Sequence, residues 1–197
     1  GTSMHAAMVG RAWIESLAQI PAEADNSSEF RYRDSVIDEK TLVVSVCQSG
    51  ETADTLAAME QAAARGARQL TLCNYEGTQT TRTAEWTMLI GAGPEIGVAA
   101  SKTFVCSLTA LYLVALYLGS RRGVLGRDDR ARHVEELARL PQLLGELVSA
   151  QEQYAHLADV FSGHSDFLYL GRGRNYPLAM EGALKLKELS YIHAEGY

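Results

Sequence analysis

The sequence predicts an α/β protein organised around a doubly wound parallel sheet. Short runs of β-branched and aliphatic residues, TLVVSV at 41–46, QLTLC at 69–73 and WTMLIG at 86–91, alternate with stretches of helical periodicity. The first run is apolar on both faces, as a parallel strand covered by helices on both sides must be. Glycine and small polar residues mark the passage from strand to helix, as in the βα turns of such sheets.

Each element follows in order. GTSMHAAMVG at 1–10 reads as a polar turn that opens a helix at about Met4, with no strand in front of it. The strand at 41–46 leads into a helix over about 52–65, closed by Gly66. Strands at 69–73 and 86–91 come next, the latter after a threonine-rich loop. AGPEIGVAAS then feeds a long apolar helix over about 101–118. Its most apolar part, 104–118, falls short of the ~20 residues that span a bilayer. It also carries Ser107 and Thr109, and it reads as a buried helix packed on the sheet. A helix over 128–140 should break at Pro141, which opens a further helical stretch reaching Phe161. DFLYLG at 166–171 starts a new strand, and a helix over about 176–192 ends the chain. The unit strand, GRGRNYPLAMEG, helix looks like the opening unit met a second time. Residues 1–148 are therefore expected to form a first sheet domain lacking its first strand. Residues 149–197 are expected to be a linker helix and the start of a similar, truncated domain, with apolar residues near Tyr191 and Ile192 left uncovered.

The composition, 47% hydrophobic and 21% charged, is that of a soluble globular protein. A net charge of −6 gives no electrostatic footprint for nucleic acid or an anionic membrane. An anionic substrate would need a local cluster of donors. The three cysteines, Cys47, Cys73 and Cys106, form no C-x-x-C pair and read as reduced, buried filler in a cytosolic protein.

VCQSGETADT at 46–55 joins the end of a strand to the start of a helix. Ligands of such sheets sit at the carboxyl ends of the strands, where a helix N-terminus offers free N–H groups and partial positive charge. Gln48, Ser49 and Thr52 add neutral donors, and Gly50 lets the backbone come close. The stretch reads as a phosphate cradle without lysine, provided that the Glu51 carboxylate points away. It also reads as a plain helix start capped by Ser49 or Thr52. GTS at 1–3 repeats the pattern, with the same two readings. In EGALKLKELS at 181–190, Glu181, Lys185 and Glu188 share one helical face. Two carboxylates beside one ammonium suit proton transfer on a sugar, and they equally suit an exposed salt-bridge ladder. GPEIGVAAS at 93–101 is a loop whose backbone could reach a ligand's hydroxyls, or a tight connection.

The order GTS, SEFRYR (28–33), QSGETADTL (48–56), PEIGVAASK (94–102) and LGRGRNYPLAMEGALKLKELSYIHAE (170–195) resembles the isomerase (SIS) part of the glutamine–fructose-6-phosphate aminotransferase family, over nearly the whole chain. QSGET alone would indicate a sugar-phosphate SIS domain, and SEFRYR with EGALKLKELSYIHAE narrows the match. The resemblance implies a flavodoxin-like three-layer sandwich without metal or organic cofactor. It implies that fructose 6-phosphate is converted to glucosamine 6-phosphate with ammonia from glutamine. Ser3, Cys47, Gln48, Ser49 and Thr52 would surround the sugar phosphate, with Thr2 beside them. Val98 and Ala100 would line the sugar's hydroxyls. Glu188 would move a proton between C1 and C2, supported by Lys185 and Glu181.

The sequence departs from the family at Cys47 and Ala100, where serine is usual, and at Ser101, where threonine is usual. A thiol donates more weakly than a hydroxyl, which puts one phosphate contact and one sugar contact in question. The resemblance further implies a homodimer and a glutaminase domain outside these residues that supplies ammonia. It places the rest of the second SIS domain, a histidine soon after HAEGY and a C-terminal lysine outside them as well. The 197 residues by themselves should then not complete the reaction. Two other readings use the same fold: a different phosphosugar isomerase or deglycase, and a non-catalytic sugar-phosphate sensor. A sensor would not need the three charges of 181–188 on one face, and it would usually carry a basic DNA-binding domain.

Overall fold

The computed structural model describes all residues, Gly1–Tyr197. Three strands, β1 (Leu42–Val46), β2 (Arg68–Cys73) and β3 (Trp86–Leu89), lie parallel in that order. Val46 pairs with Leu72, and Leu72 with Met88, so alternate residues form two faces across the sheet.

One face carries Val44, Val46, Leu70, Leu72 and Met88. It packs against α1 (Thr2–Trp13) and α5 (Lys102–Arg121), whose Ala6, Ala110, Leu111 and Val114 complete the core. The other face carries Gln69 and Thr71 and meets α3 (Ala53–Ala64), where the Gln69 amide donates to the Met59 carbonyl at 2.8 Å. Helices thus cover both faces, as expected for a three-layer α/β sandwich.

α5 has 20 residues, longer than the apolar stretch suggested, and by length and composition alone it could cross a membrane. Here it is a core helix: Thr103, Ser107, Ala110, Leu111, Val114, Ala115, Leu116 and Gly119 are buried along it. Two short helices escaped the sequence reading: α2 (Ser27–Phe30), capped by Asn26, and α4 (Gln79–Thr83).

Two expectations in the C-terminal half are corrected. Pro141 does not break the helix: α6 runs Arg127–Ser149 through it. No residue of α6 is buried, so the Leu137 carbonyl that loses its partner can be met by water. The break falls at Ala150, after which α7 (Gln151–Phe161) begins. The chain also does not end in a helix. α8 (Asn175–Ser190) stops at Tyr191, which adopts a left-handed conformation at φ 60°. β5 (His193–Gly196) then pairs in parallel with β4 (Asp166–Tyr169), with Phe167 opposite Ala194. This β4–α8–β5 unit forms a second sheet, and α8 packs on α1 of the first unit. Tyr191 is 95% exposed, as anticipated, while Ile192 is half-buried.

Candidate functional site

The turn between β1 and α3 follows from its sequence. Gly50 has φ +67°, and an added Cβ there would collide with the side chains of Thr78 and Thr80, so the tight turn requires glycine. The turn is anchored from behind: Asn74 N–H donates to the Gln48 carbonyl at 3.2 Å and Thr80 N–H to the Gly50 carbonyl at 3.1 Å. The Gln48 and Gly50 carbonyls are thereby taken, whereas most of the turn's donors are not. The backbone N–H groups of Gln48, Ser49, Gly50, Thr52, Ala53, Asp54 and Thr55 meet no acceptor in the protein. Only Glu51 N–H is taken, by Ser49 Oγ at 3.2 Å. Thr52 occupies the N-cap position, yet its side chain makes no capping bond. A helix start capped by Thr52 would have spent at least one of these donors on that side chain.

Both acidic residues of the stretch turn away. The Glu51 carboxylate accepts from Gln79 N–H at 2.9 Å, at the start of α4. Asp54 is held by Arg31 of SEFRYR at 2.6 Å. The arrangement can therefore receive an anion on neutral donors at the positive end of α3.

Gln48, Ser49 and Thr52 line a cleft of about 1150 Å³ together with Ser3 of α1. Cys47 also borders it, but its functional atoms face elsewhere. Its N–H donates to the Leu72 carbonyl at 2.9 Å, and its thiol lies 3.7 Å from Thr71 Oγ1 and 3.6 Å from Thr80 Oγ1. Burial pushes this thiol up to about 11.

Thr2, next to Ser3, points the other way along α1 and meets α8. Its hydroxyl donates to Glu181 Oε1 at 2.9 Å and accepts from Lys185 Nζ at 3.1 Å. Lys185 Nζ also reaches Glu188 Oε2 at 2.7 Å and Glu181 Oε1 at 3.3 Å, so its three donors face three oxygens. His5 Nδ1 lies 2.6 Å from Glu181 Oε2. Glu181 is only 5% exposed. Burial pushes its carboxyl up, but the His5 and Thr2 hydrogen bonds and the Lys185 charge outweigh that and hold it below the ordinary value. Glu188 is half-buried, and its Oε1 has no partner in the protein. The three charges of 181–188 are thus an interhelical network, not a solvated ladder.

Val98 and Ala100 sit on the loop between β3 and α5, and Val98 is 82% exposed. The loop is pinned at both ends. The Asn74 side chain donates to the Gly93 carbonyl at 2.8 Å and accepts from Ala92 N–H at 2.9 Å. Glu95 caps α5 by accepting from Thr103 N–H and Oγ1, which lower its pKa. No hydrogen bond joins Val98 or Ala100 to the 48–52 turn itself; Asn74 bonds to both segments.

His5 and Asn74 were not singled out from the sequence. His5 lies three residues after Thr2 on a helix, which puts both on one face. That spacing was available, but the helix it meets lies 176 residues away. Asn74 follows directly on the end of β2, the carboxyl edge where ligands of such sheets bind.

A parallel α/β sheet with an open donor-lined turn at its carboxyl edge is the architecture of doubly wound ligand-binding proteins. Residues 1–117 match the family model for the SIS domain, and the chain belongs to that family. It is 51% identical over 198 aligned positions to glutamine–fructose-6-phosphate aminotransferase [isomerizing] of Pseudomonas putida, a match covering 100% of this chain and 32% of that protein. It is 45% identical to the same-named protein of Thermus thermophilus, over 100% of this chain and 33% of that protein. The chain spans about a third of the length of the curated relatives it matches. Among solved structures, the C-terminal domain of glucosamine-fructose-6-phosphate aminotransferase from Francisella tularensis superposes with a TM-score of 0.97 at 38% identity, covering 100% of this chain and 56% of that one. Glucosamine-6-phosphate deaminase from Thermotoga maritima shares the fold, with a TM-score of 0.79 at 18% identity over 100% of this chain and 58% of that one.

Proposed function

We propose that this chain is the isomerising part of a glutamine–fructose-6-phosphate aminotransferase and binds fructose 6-phosphate. The phosphate sits on the free N–H groups of 48–55, with the side chains of Ser3, Gln48, Ser49 and Thr52 around it and Thr2 and Cys47 adjoining. Val98 and Ala100 flank the sugar's hydroxyls. Glu188 takes a proton from C1 of the open-chain sugar and returns it to C2. The free Oε1 of Glu188 is the atom placed to do so, since Lys185 holds Oε2 at 2.7 Å. Lys185 and Glu181 keep that carboxylate oriented and complete the proton network.

The observation that carries the reading is the Thr2–Glu181–Lys185–Glu188 network, built from two helices and partly buried. In the whole protein, ammonia released from glutamine by a separate domain would reach this sugar and give glucosamine 6-phosphate, a step of hexosamine and UDP-N-acetylglucosamine biosynthesis. The cytoplasm and a homodimer are the setting proposed for it; three free cysteines without a disulfide accord with that compartment. Residues 1–148 are proposed as one SIS unit lacking its first strand, and 149–197 as a linker helix and the opening of a second. The separate β4–β5 sheet and the family match over 1–117 support that division.

Phosphorus NMR on the chain, titrated with fructose 6-phosphate, glucose 6-phosphate and inorganic phosphate, tests the phosphate site. Binding of the hexose phosphates that is lost in Ser49→Ala/Thr52→Val supports it. Equal binding by the folded double variant moves the phosphate elsewhere and overturns the assignment.

A further inference from the structure

We infer that His5 is a positioning residue for proton transfer at Glu188, acting through Glu181 and Lys185. The inference rests on the function proposed above and adds a residue to it.

Four geometric facts lead there. Glu181 is a buried carboxylate with two oxygens in different surroundings. Oε1 faces Thr2 at 2.9 Å and Lys185 at 3.3 Å, whereas Oε2 has His5 Nδ1, at 2.6 Å, as its one partner. His5 is itself buried on α1 and is the fixed end of the chain. Lys185 is the mobile end, a four-carbon side chain whose ammonium must be held against Glu188 Oε2 at 2.7 Å.

With Oε2 held by an imidazole N–H, the Glu181 carboxylate cannot rotate about its last torsion, a broad and soft one when unrestrained. Oε1 then stays between Thr2 and Lys185, and Lys185 stays between Glu181 and Glu188. Without His5, Oε2 would be a buried acceptor with no donor, which favours protonating or turning the carboxyl. Either change removes an anchor from Lys185 and lets Glu188 drift from its proton-transfer position, where small displacements are costly. His5 touches none of the atoms assigned to the sugar, so its effect falls on turnover rather than on binding.

Two substitutions separate positioning from bulk packing. His5→Leu fills the space without a donor. His5→Asn places an amide N–H where Nδ1 stands, so it keeps the bond with less volume. The readouts are the Glu181 carboxyl carbon in carbon-13 NMR across pH, the Kd for fructose 6-phosphate, and deuterium uptake from D2O into the sugar's C1 and C2 positions. The expected result is a higher Glu181 titration midpoint in His5→Leu, restored in His5→Asn. Deuterium uptake should fall about 10- to 100-fold in His5→Leu with Kd unchanged, and recover in His5→Asn. An unmoved midpoint and unchanged uptake in folded His5→Leu overturn the inference. So does a His5→Asn variant as impaired as His5→Leu, which would mark a packing role. If the unaltered chain binds no sugar and takes up no deuterium, the proposed function has failed for this chain. The carbon-13 arm still decides: a midpoint that rises in His5→Leu and returns in His5→Asn sustains the positioning of Glu181, and one that does not move overturns it.

Discussion

Cys47 shows how a side chain can match a motif in sequence and yet face away from the open donors of its own turn. Its position in the motif placed it among the phosphate-binding residues, and a thiol in place of a hydroxyl put one contact in question. In the structure the thiol faces Thr71 and Thr80 beneath the turn, and its N–H is bonded to β2. The donors around an anion are therefore its neighbours in the chain, and the departure from serine should cost little affinity. Cys47→Ser is expected to change the Kd for hexose phosphate by less than about threefold, below 1 kcal/mol; a tenfold change by calorimetry would show that the thiol reaches the ligand. The raised pKa adds a second expectation: Cys47 should resist iodoacetamide at pH 8 in the folded chain and react only on unfolding. Glu51 and Asp54 teach the converse. Two carboxylates beside a presumed anion site look inconsistent in one dimension, and only the partners Gln79 and Arg31 resolve the conflict.

Strands β1 to β4 and helices α1, α3, α5 and α8 were readable because their apolar residues follow a local pattern, and pattern is a local property. What was not readable depended on surroundings. Pro141 breaks a helix that must satisfy its own carbonyls in a dry interior, but α6 buries no residue and so tolerates it. HAEG at 193–196 carries almost no strand signal and is a strand because β4 offers it an edge. Asn74 belongs to the same category, since its importance lies in joining two segments. Its backbone supports the 48–52 turn, and its side chain holds the loop that bears Val98 and Ala100. Asn74→Ala keeps the first function and removes the second. It is expected to destabilise the chain by about 1–3 kcal/mol, the cost of half-buried groups left unpaired. It should also weaken hexose phosphates while leaving inorganic phosphate almost unaffected. Parallel loss for both ligands in phosphorus NMR titrations would mean that the loop does not meet the sugar.

The two sheets of the molecule are joined by α1 and α8, and the polar part of that joint is the Glu181 network. Thr2 and His5 come from one unit and Glu181 and Lys185 from the other, more than 170 residues apart. The same network therefore serves the proposed chemistry and the attachment of the two units, which ties stability to pH. The Glu181 carboxyl titrates below its ordinary value in the folded chain, so it binds fewer protons folded than unfolded. Its stabilising contribution is complete above the ordinary carboxyl range, near pH 4.3. It is lost as pH falls through the lowered folded value. Glu181→Gln removes that titration while keeping the side chain's size. The unaltered chain should then melt above Glu181→Gln at pH 7, and the gap between them should close as pH falls below about 4. Other carboxylates with lowered values, Glu95, Asp166 and Glu195, act in both proteins and cancel in the difference. A gap that stays constant from pH 7 to pH 3 in differential scanning calorimetry would mean that the Glu181 charge does not hold α8 to α1. The attachment would then rest on the packing of α8 against α1.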